Sequence, residues 1–287
     1  MSELVSLVLT VRPAQPVTLP GHLGLAAYAL LLRWIGEQDD ALARHWHDQD
    51  GPKPFTCSTL IGARRTGPNM LALSPDRPCW LRFTALDPAI SVILAARRDA
   101  PPESVELDGV PLHVESATTD PAVHPWAGTA TYEQIAAPYL LARQESPRRL
   151  KLAFSSPTAF RQRDLNMAVP LPDLVFGGLA DRWNAFSPIA VSPEVRRYAE
   201  EGVALNSFRL RSRALPVKEG VPQVGAVGEA GYVAVRYDRY WMGVLGLLAD
   251  FAFFAGVGRM TTVGMGQARR LSGPSDEKRP ARPRPDD

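Results

Sequence analysis

Strand and helix signals recur twice in one order along this chain, and that repetition constrains its fold more than any single motif. Leu4 to Val11 alternates apolar and polar positions as a strand does, and Pro13, Pro16 and Pro20 then break the chain. His22 to Ile35 has helical length, with an apolar face through Leu25, Tyr28, Leu32 and Ile35. Asp39 to Trp46 reads as a short second helix, stopped at Gly51-Pro52. Strands are predicted over Phe55 to Ile61 and Pro78 to Thr84. A helix is predicted over Leu86 to Arg97, where Pro88 falls in the tolerant first turn, and Val110 to Ser116 closes the unit.

After a Pro/Gly/Trp connector and a short helix over Tyr132 to Ala142, the order repeats. Leu150 to Ser155 is a strand and Leu171 to Phe186 a helix. Val203 to Leu215 and Gly231 to Tyr237 are paired strands. Arg239 to Ala255 is a helix and Val263 to Leu271 a last strand. Two β-α-β-β-α-β units in series predict an α+β protein of two tandem ferredoxin-like (RRM-like) domains. Residues 1–121 form the first, 122–147 the connector and 148–271 the second. Residues 272–287 hold four prolines and a single alanine as their apolar content, so that tail is predicted disordered.

Charge is distributed unevenly. Residues 1–147 carry a net −5 and residues 148–271 a net +7, so the second unit presents itself to a polyanion. Its cations are mostly arginine, which suits phosphate forks and base stacking. Arg209, Arg211 and Arg213 fall on one face of the predicted strand Val203 to Leu215, a row that fits a phosphate rail or a solvated edge. Arg148, Arg149 and Lys151 precede the first strand of the same unit and add to its positive side. Cys57 and Cys79 lie within predicted strands, which argues against a disulfide framework or a zinc site and for reduced thiols in a cytoplasmic protein. No 18-residue uncharged apolar run predicts a membrane span, and the strand-like start at Leu4 does not read as a secretory signal. No carboxylate cluster suggests a two-metal nuclease, and no cofactor is implied.

The segment Gly256 to Gly266 reads GVGRMTTVGMG. Glycines at 256, 258, 264 and 266 leave room for backbone amides to approach an anion, with Arg259 inside the same loop. The loop follows a helix and enters a strand, the reverse of a dinucleotide-binding turn, and it lacks the Gly-Lys-Ser/Thr of a Walker A loop. Upstream, His47-Asp48 precedes Gly51-Pro52-Lys53-Pro54-Phe55-Thr56 and Ser58. An imidazole there can move a proton near neutral pH, and Lys53 adds a fixed positive charge six residues on.

The glycine loop, the His/Lys-Pro-Phe-Thr segment and the stretch Leu152 to Thr158 with Phe160-Arg161 together resemble the RAMP superfamily of CRISPR-associated RNA-binding proteins. Within it, they resemble the repeat-cleaving endoribonucleases of the Cas-six family. The resemblance covers most of residues 1–271, although 62–146 matches only in element order. It implies metal-independent cleavage of CRISPR repeat RNA by the RNA's own 2′-hydroxyl, giving a 2′,3′-cyclic phosphate and a 5′-hydroxyl. His47 would be the general base or acid, Lys53 would stabilise the phosphorane, and Tyr28 would be the third member. The glycine loop and the arginine row would hold the precursor RNA. A CRISPR effector complex or a second copy of the chain are further candidate partners.

Alternatives remain at several positions. Tyr28 also sits on an apolar face as core packing would have it, and His22 competes for the third place. His45 ranks below His47, the histidine directly before Asp48, and His113 and His124 match nothing. The rival functions are a non-catalytic RAMP subunit that binds guide RNA, which would not need the His/Lys pair, and a small-molecule-binding ferredoxin-like protein with a closed apolar pocket.

Overall fold

The computed structural model describes residues 2–67, 69–141, 146–215 and 222–271. The predicted disorder of 272–287 lies outside these residues. The chain runs β1 Leu4–Pro13, β2 Val17–Pro20, α1 Gly24–Gln38, α2 Asp40–Asp48, β3 Phe55–Cys57, β4 Arg64–Gly67, β5 Met70–Leu73, β6 Cys79–Ala85, α3 Pro88–Asp99, β7 Ser104–Leu107, β8 Val110–Thr118, β9 Gly128–Ala130 and α4 Tyr132–Leu140. It continues with β10 Arg149–Thr158, β11 Phe160–Gln162, β12 Leu165–Met167, α5 Pro172–Phe186, α6 Val195–Gly202, β13 Val203–Leu215, β14 Gln223–Ala234, α7 Arg239–Ala255, a 3₁₀ turn Thr261–Val263 and β15 Ala268–Arg270.

The two main sheets share one wiring. In the first, the strands lie in the order β3-β6-β1-β8, extended by β7 at the edge and by β9 pairing with β1. In the second the order is β13-β14-β10-β15. Each sequence of pairings is the antiparallel arrangement that a βαββαβ unit produces, so the protein is two tandem ferredoxin-like units. Helices α1 and α3 cover the first sheet through Ala27, Leu31, Ile35, Ile90 and Leu94. Helices α4 to α7 pack with the second sheet in a core that holds Trp183, Phe176, Phe251 and Tyr232.

Several predicted boundaries move. The buried face of α1 is Ala27, Leu30, Leu31, Trp34 and Ile35, and Leu25 stands 47% exposed. The apolar periodicity is broad enough to allow either face, and docking against the sheet selects the one carrying Trp34. The last strand is confined to Ala268–Arg270, because the residues before it form the 3₁₀ turn and two left-handed glycines. The strand predicted to run to Ile61 ends at Cys57, and β14 begins at Gln223 rather than Gly231. Arg149 and Lys151 lie within β10 rather than before it, and Lys151 pairs with Glu229 at 2.5 Å. A small sheet, β2-β5-β4, and the helix α6 were not predicted.

Two arginines meet at the C-terminal end of α7: the buried Arg82 of the first unit, which joins the units there, and Arg182 of the second unit, which braces the same helix end from within its own unit. Arg82 of β6 donates from Nε to Ser6 Oγ at 2.8 Å and to Trp126 O at 3.0 Å, and from Nη2 to Phe253 O. Its guanidinium lies 4.5 Å from the centre of the Phe253 ring and 4.9 Å from that of Trp126. Thr84 donates to Phe254 O at 2.7 Å. From the other side, Arg182 of α5 donates to Ala255 O and Gly258 O at 2.6 Å each and to Gly256 O at 3.2 Å. The last carbonyls of a helix lack intrahelical donors and carry the negative end of its dipole, so two guanidiniums are satisfied there without a carboxylate. Burial lowers Arg82 to about 9 and Arg182 to about 10, which leaves both cationic at neutral pH. No helix among the described residues is long and apolar enough to cross a membrane.

Candidate active site and RNA interface

His47 occupies the last turn of α2, a helix started by Asp39, whose side chain accepts from Leu42 N. Asp48 ends the helix and the chain turns through Gly51, which takes a left-handed φ of 107°. Lys53 then folds back and donates to the carbonyls of Trp46 and Gln49, so its ammonium caps the helix that carries His47. Burial lowers the Lys53 pKa, and Asp50 and Asp48 act in the opposite direction. Phe55, Thr56 and Cys57 follow as fully buried strand residues, which anchor the end of this turn in the first sheet.

Tyr28 reaches the same place from α1. Its Oη lies 3.5 Å from His47 Nδ1, at the outer limit of a hydrogen bond, and its ring packs 6.1 Å from that of Phe55. Burial, then Cys57 and Asp48, raise its pKa, so the phenol keeps its proton at neutral pH. Tyr28 and His47 are therefore brought together by α1 and α2, and Lys53 ties the turn into β3 to the carbonyls on either side of His47. His47 is exposed, as a group that must meet a large substrate has to be. His45 lies beside the Trp46 ring, 4.7 Å between centroids. His22 is placed elsewhere: its Nε2 lies 2.7 Å from Val263 O in the glycine loop. His124 accepts from Trp126 N through Nδ1 and packs on Trp80, a structural role.

Part of the glycine loop's backbone is already paired. The amides of Gly256, Val257, Arg259, Val263, Met265 and Gly266 donate to backbone carbonyls, to Ala252, Gly266, Ala159, Met260, Met260 and Pro157 in turn. Its glycines also permit close packing. A Cβ on Gly258 would come within 2.3 Å of Ala159 O, and one on Gly266 within 2.2 Å of Val257 O, both at positive φ. A Cβ on Gly264 would come within 2.8 Å of His22 Cε1. Met260, Val263 and Met265 pack with the Tyr28 ring, so this loop of the second unit props a member of the trio on the first. Arg259 remains half-buried at the loop's surface.

On β13, the row Arg209, Arg211 and Arg213 keeps its alternation in register against Glu229, Val227 and Gly225 of β14. A bulge between Leu205 and Ser207 resets the strand's facing, and Phe208 stands 68% exposed beside the arginines. β13 is an edge strand, which leaves one side of this basic ribbon unpaired. Cys57 and Cys79 are buried and unpaired, and no group of three or more His, Cys, Asp or Glu side chains among the described residues is arranged to hold a metal.

The chain thus pairs two tandem ferredoxin-like units across a packed glycine loop, with Tyr28 against His47 on the first and an arginine-bearing edge strand on the second. The family model described as the Cas6 N-terminal domain matches residues 4–137, and that described as CRISPR-associated endoribonuclease Cas6 matches residues 152–268. The chain belongs to this Cas6 family. It is 34% identical over 131 residues to the CRISPR-associated endoribonuclease Cas6 of Mycobacterium tuberculosis, a stretch covering 45% of this chain and 40% of that relative. Among solved structures, one Cas6 product complex aligns with TM-score 0.73 and 29% identity over 94% of this chain and 99% of the other. A second Cas6 product complex aligns with TM-score 0.78 and 26% identity, over 94% and 100%.

Proposed function

We propose that this protein is a cytoplasmic, metal-independent endoribonuclease that cuts CRISPR precursor RNA within its repeats. The observation that supports the reading is the contact of Tyr28 with the exposed His47 beside the seam between the units, at the end of a helix whose carbonyls Lys53 caps. A 2′-hydroxyl is a weak nucleophile until its proton is removed, and a departing 5′ oxygen must receive one. In the tautomer whose Nδ1–H donates to the Tyr28 oxygen, Nε2 is the lone-pair nitrogen and can act as general base. Once protonated, the same nitrogen can act as general acid, and the site asks one of these two roles of His47. In-line attack of the 2′ oxygen forms the new P–O bond as the P–O5′ bond breaks, leaving a 2′,3′-cyclic phosphate and a 5′-hydroxyl. The Lys53 ammonium and the Tyr28 hydroxyl are the donors available to the added charge on the phosphorane.

The arginine row and Arg259 supply cations for the RNA backbone, and Phe208 supplies a ring on which an unpaired base can stack. A non-catalytic guide-binding role would leave the Tyr28–His47–Lys53 arrangement without a purpose. The test is incubation with repeat RNA from the source's CRISPR array in EDTA, followed by analysis of the product ends. Cleavage to cyclic-phosphate ends is expected, with no cleavage when the ribose before the cut is 2′-deoxyribose. A requirement for Mg²⁺, or cutting of the deoxy substrate, would overturn the mechanism.

A further inference from the structure

A pocket of about 290 Å³ opens at the seam between the units, with Gly264, directly after the 3₁₀ turn, in its lining. His22, Arg65, Arg213, Ser156, Gly264 and Gln267 are among its lining residues. Two of them bring buried polar atoms without a protein partner: His22 Nδ1 and Gln267 Oε1. Gln267 is only 4% exposed. Its backbone is fixed, because its amide donates to Ser156 Oγ at 2.9 Å and its carbonyl accepts from Ser155 N at 2.7 Å. His22 is fixed too. Its Nε2 meets a carbonyl, Val263 O, which can only accept, so Nε2 carries the proton and Nδ1 is a lone-pair acceptor when the ring is neutral. Burial, joined by the charges of Arg65 and Arg213, lowers the His22 pKa and favours that neutral form.

A buried acceptor without a donor costs on the order of 1–3 kcal/mol, so two of them around one cavity mark a place for a ligand rather than for packing. Arg65 and Arg213 both raise the positive potential here, burial and the neighbouring Arg65 disfavour the charge on Arg213, and the described lining contains no carboxylate. The ligand must therefore offer two hydrogen-bond donors to the acceptors and a negative or acceptor atom to Arg213. Among nucleobases, guanine presents two adjacent donors, N1–H and N2–H, on its Watson–Crick edge, with O6 and its own phosphate as acceptors. The volume lies near the lower end of the range for small-ligand sites, about 300–1,000 Å³, which suits one nucleoside.

We infer that this pocket is a specificity subsite that receives one unpaired guanosine of the RNA, read by His22 and Gln267 and charge-matched by Arg213. The identification of the ligand as part of an RNA rests on the endoribonuclease reading. Gly24, where α1 begins against Val263, and Tyr28 are four residues apart, or about 6 Å along the helix axis. The guanosine would thus lie within a few nucleotides of the scissile phosphate.

The experiment uses repeat RNA made uncleavable by a 2′-deoxyribose before the cut, with each guanosine replaced in turn by inosine, which lacks the N2 donor. Affinity for the wild-type protein should fall about tenfold at one unpaired position and little elsewhere, the size of one lost hydrogen bond to a buried group. Gln267→Leu should bind the parent RNA about as weakly as wild type binds the inosine RNA, and should no longer distinguish the two. Gln267→Glu keeps an acceptor opposite the arginines and should restore the preference. If no position responds to inosine, or if Gln267→Leu discriminates as well as wild type, the subsite is wrong. The inosine scan needs no variant, so a folding defect in Gln267→Leu does not protect the proposal. Guanosine-dependent binding to an all-ribose RNA that is never cut would leave the subsite standing and overturn the nuclease. Cleavage without any guanosine dependence would do the reverse.

Discussion

The turn carrying His47 and Lys53 and the loop at 256–266 both border Tyr28, and they are built in opposite ways. The turn is exposed at His47, Asp48, Gln49 and Asp50, and Gly51 has nothing within 4 Å of where a Cβ would stand. It is held mainly by one lysine donating to two carbonyls. The glycine loop is largely buried, six of its amides donate to carbonyls, and Gly258, Gly264 and Gly266 each have a neighbouring atom less than 3 Å from where a Cβ would stand. Chemistry that must meet a bulky RNA sits on the open segment, and the closed segment fixes the ring beside it. Glycine-rich sequence alone would have suggested the reverse assignment of openness.

The largest effect should come from the open segment. His47→Ala should lower single-turnover cleavage by about 10² to 10⁴ while RNA affinity stays within error, because positioned proton transfer is worth that much. Should His45→Ala have that effect instead, the trio is misassigned. Lys53→Met should lose less rate than His47→Ala but should also lower the melting temperature, since the carbonyls of Trp46 and Gln49 lose their charged donor.

Glycine replacements compare the two segments directly. Gly266→Ala should destabilise by about 3–5 kcal/mol, combining left-handed strain with a clash against Val257 O. Gly51→Ala should cost about 1 kcal/mol, since only its φ objects. Equal losses in denaturant titration would show that the loop is looser than its contacts imply.

Replacing Arg209, Arg211 and Arg213 together by Ala should flatten the plot of log affinity against log salt by about 2, if each meets one phosphate of a single strand. An unchanged slope would place the RNA on another face.

The smallest effect concerns His22 and depends on pH. Its folded pKa lies below the ordinary 6.5, so the unfolded chain takes up the proton first. Stability should be constant above pH 6.5, fall as the pH drops below that value, and level off below the folded pKa. His22→Gln can still donate to Val263 O but does not titrate, so its melting temperature should lack that step.

Much of this architecture could be read from residues. Helix α7 has the limits predicted for it, because Asp238 caps its start and Gly256 ends it with a positive φ. Strand β13 does too, because alternating arginines mark a half-solvated face along its length. The spacing of His47 and Lys53 around a Gly-Pro turn was legible for the same local reason. The small sheet β2-β5-β4 was not, since its strands are four residues each and mostly outside the core. Arg82 and Arg182 were equally invisible: a lone arginine in a strand or helix looks solvated until a distant helix end supplies its carbonyls. The seam pocket assembles His22, Arg65, Arg213 and Gln267 from four separate segments, so no linear motif announces it.

The clasp on the end of α7 has a consequence for how the molecule comes apart. Two cores of this kind could melt one after the other, each with its own transition. Here neither can loosen without pulling the Arg82 guanidinium away from the Phe253 carbonyl of the other unit into a low-dielectric gap, at a cost of several kcal/mol. Calorimetry should therefore record one peak whose van't Hoff and calorimetric enthalpies agree. Arg82→Met should split that peak into two, exposing the separate thermodynamic identities of the halves.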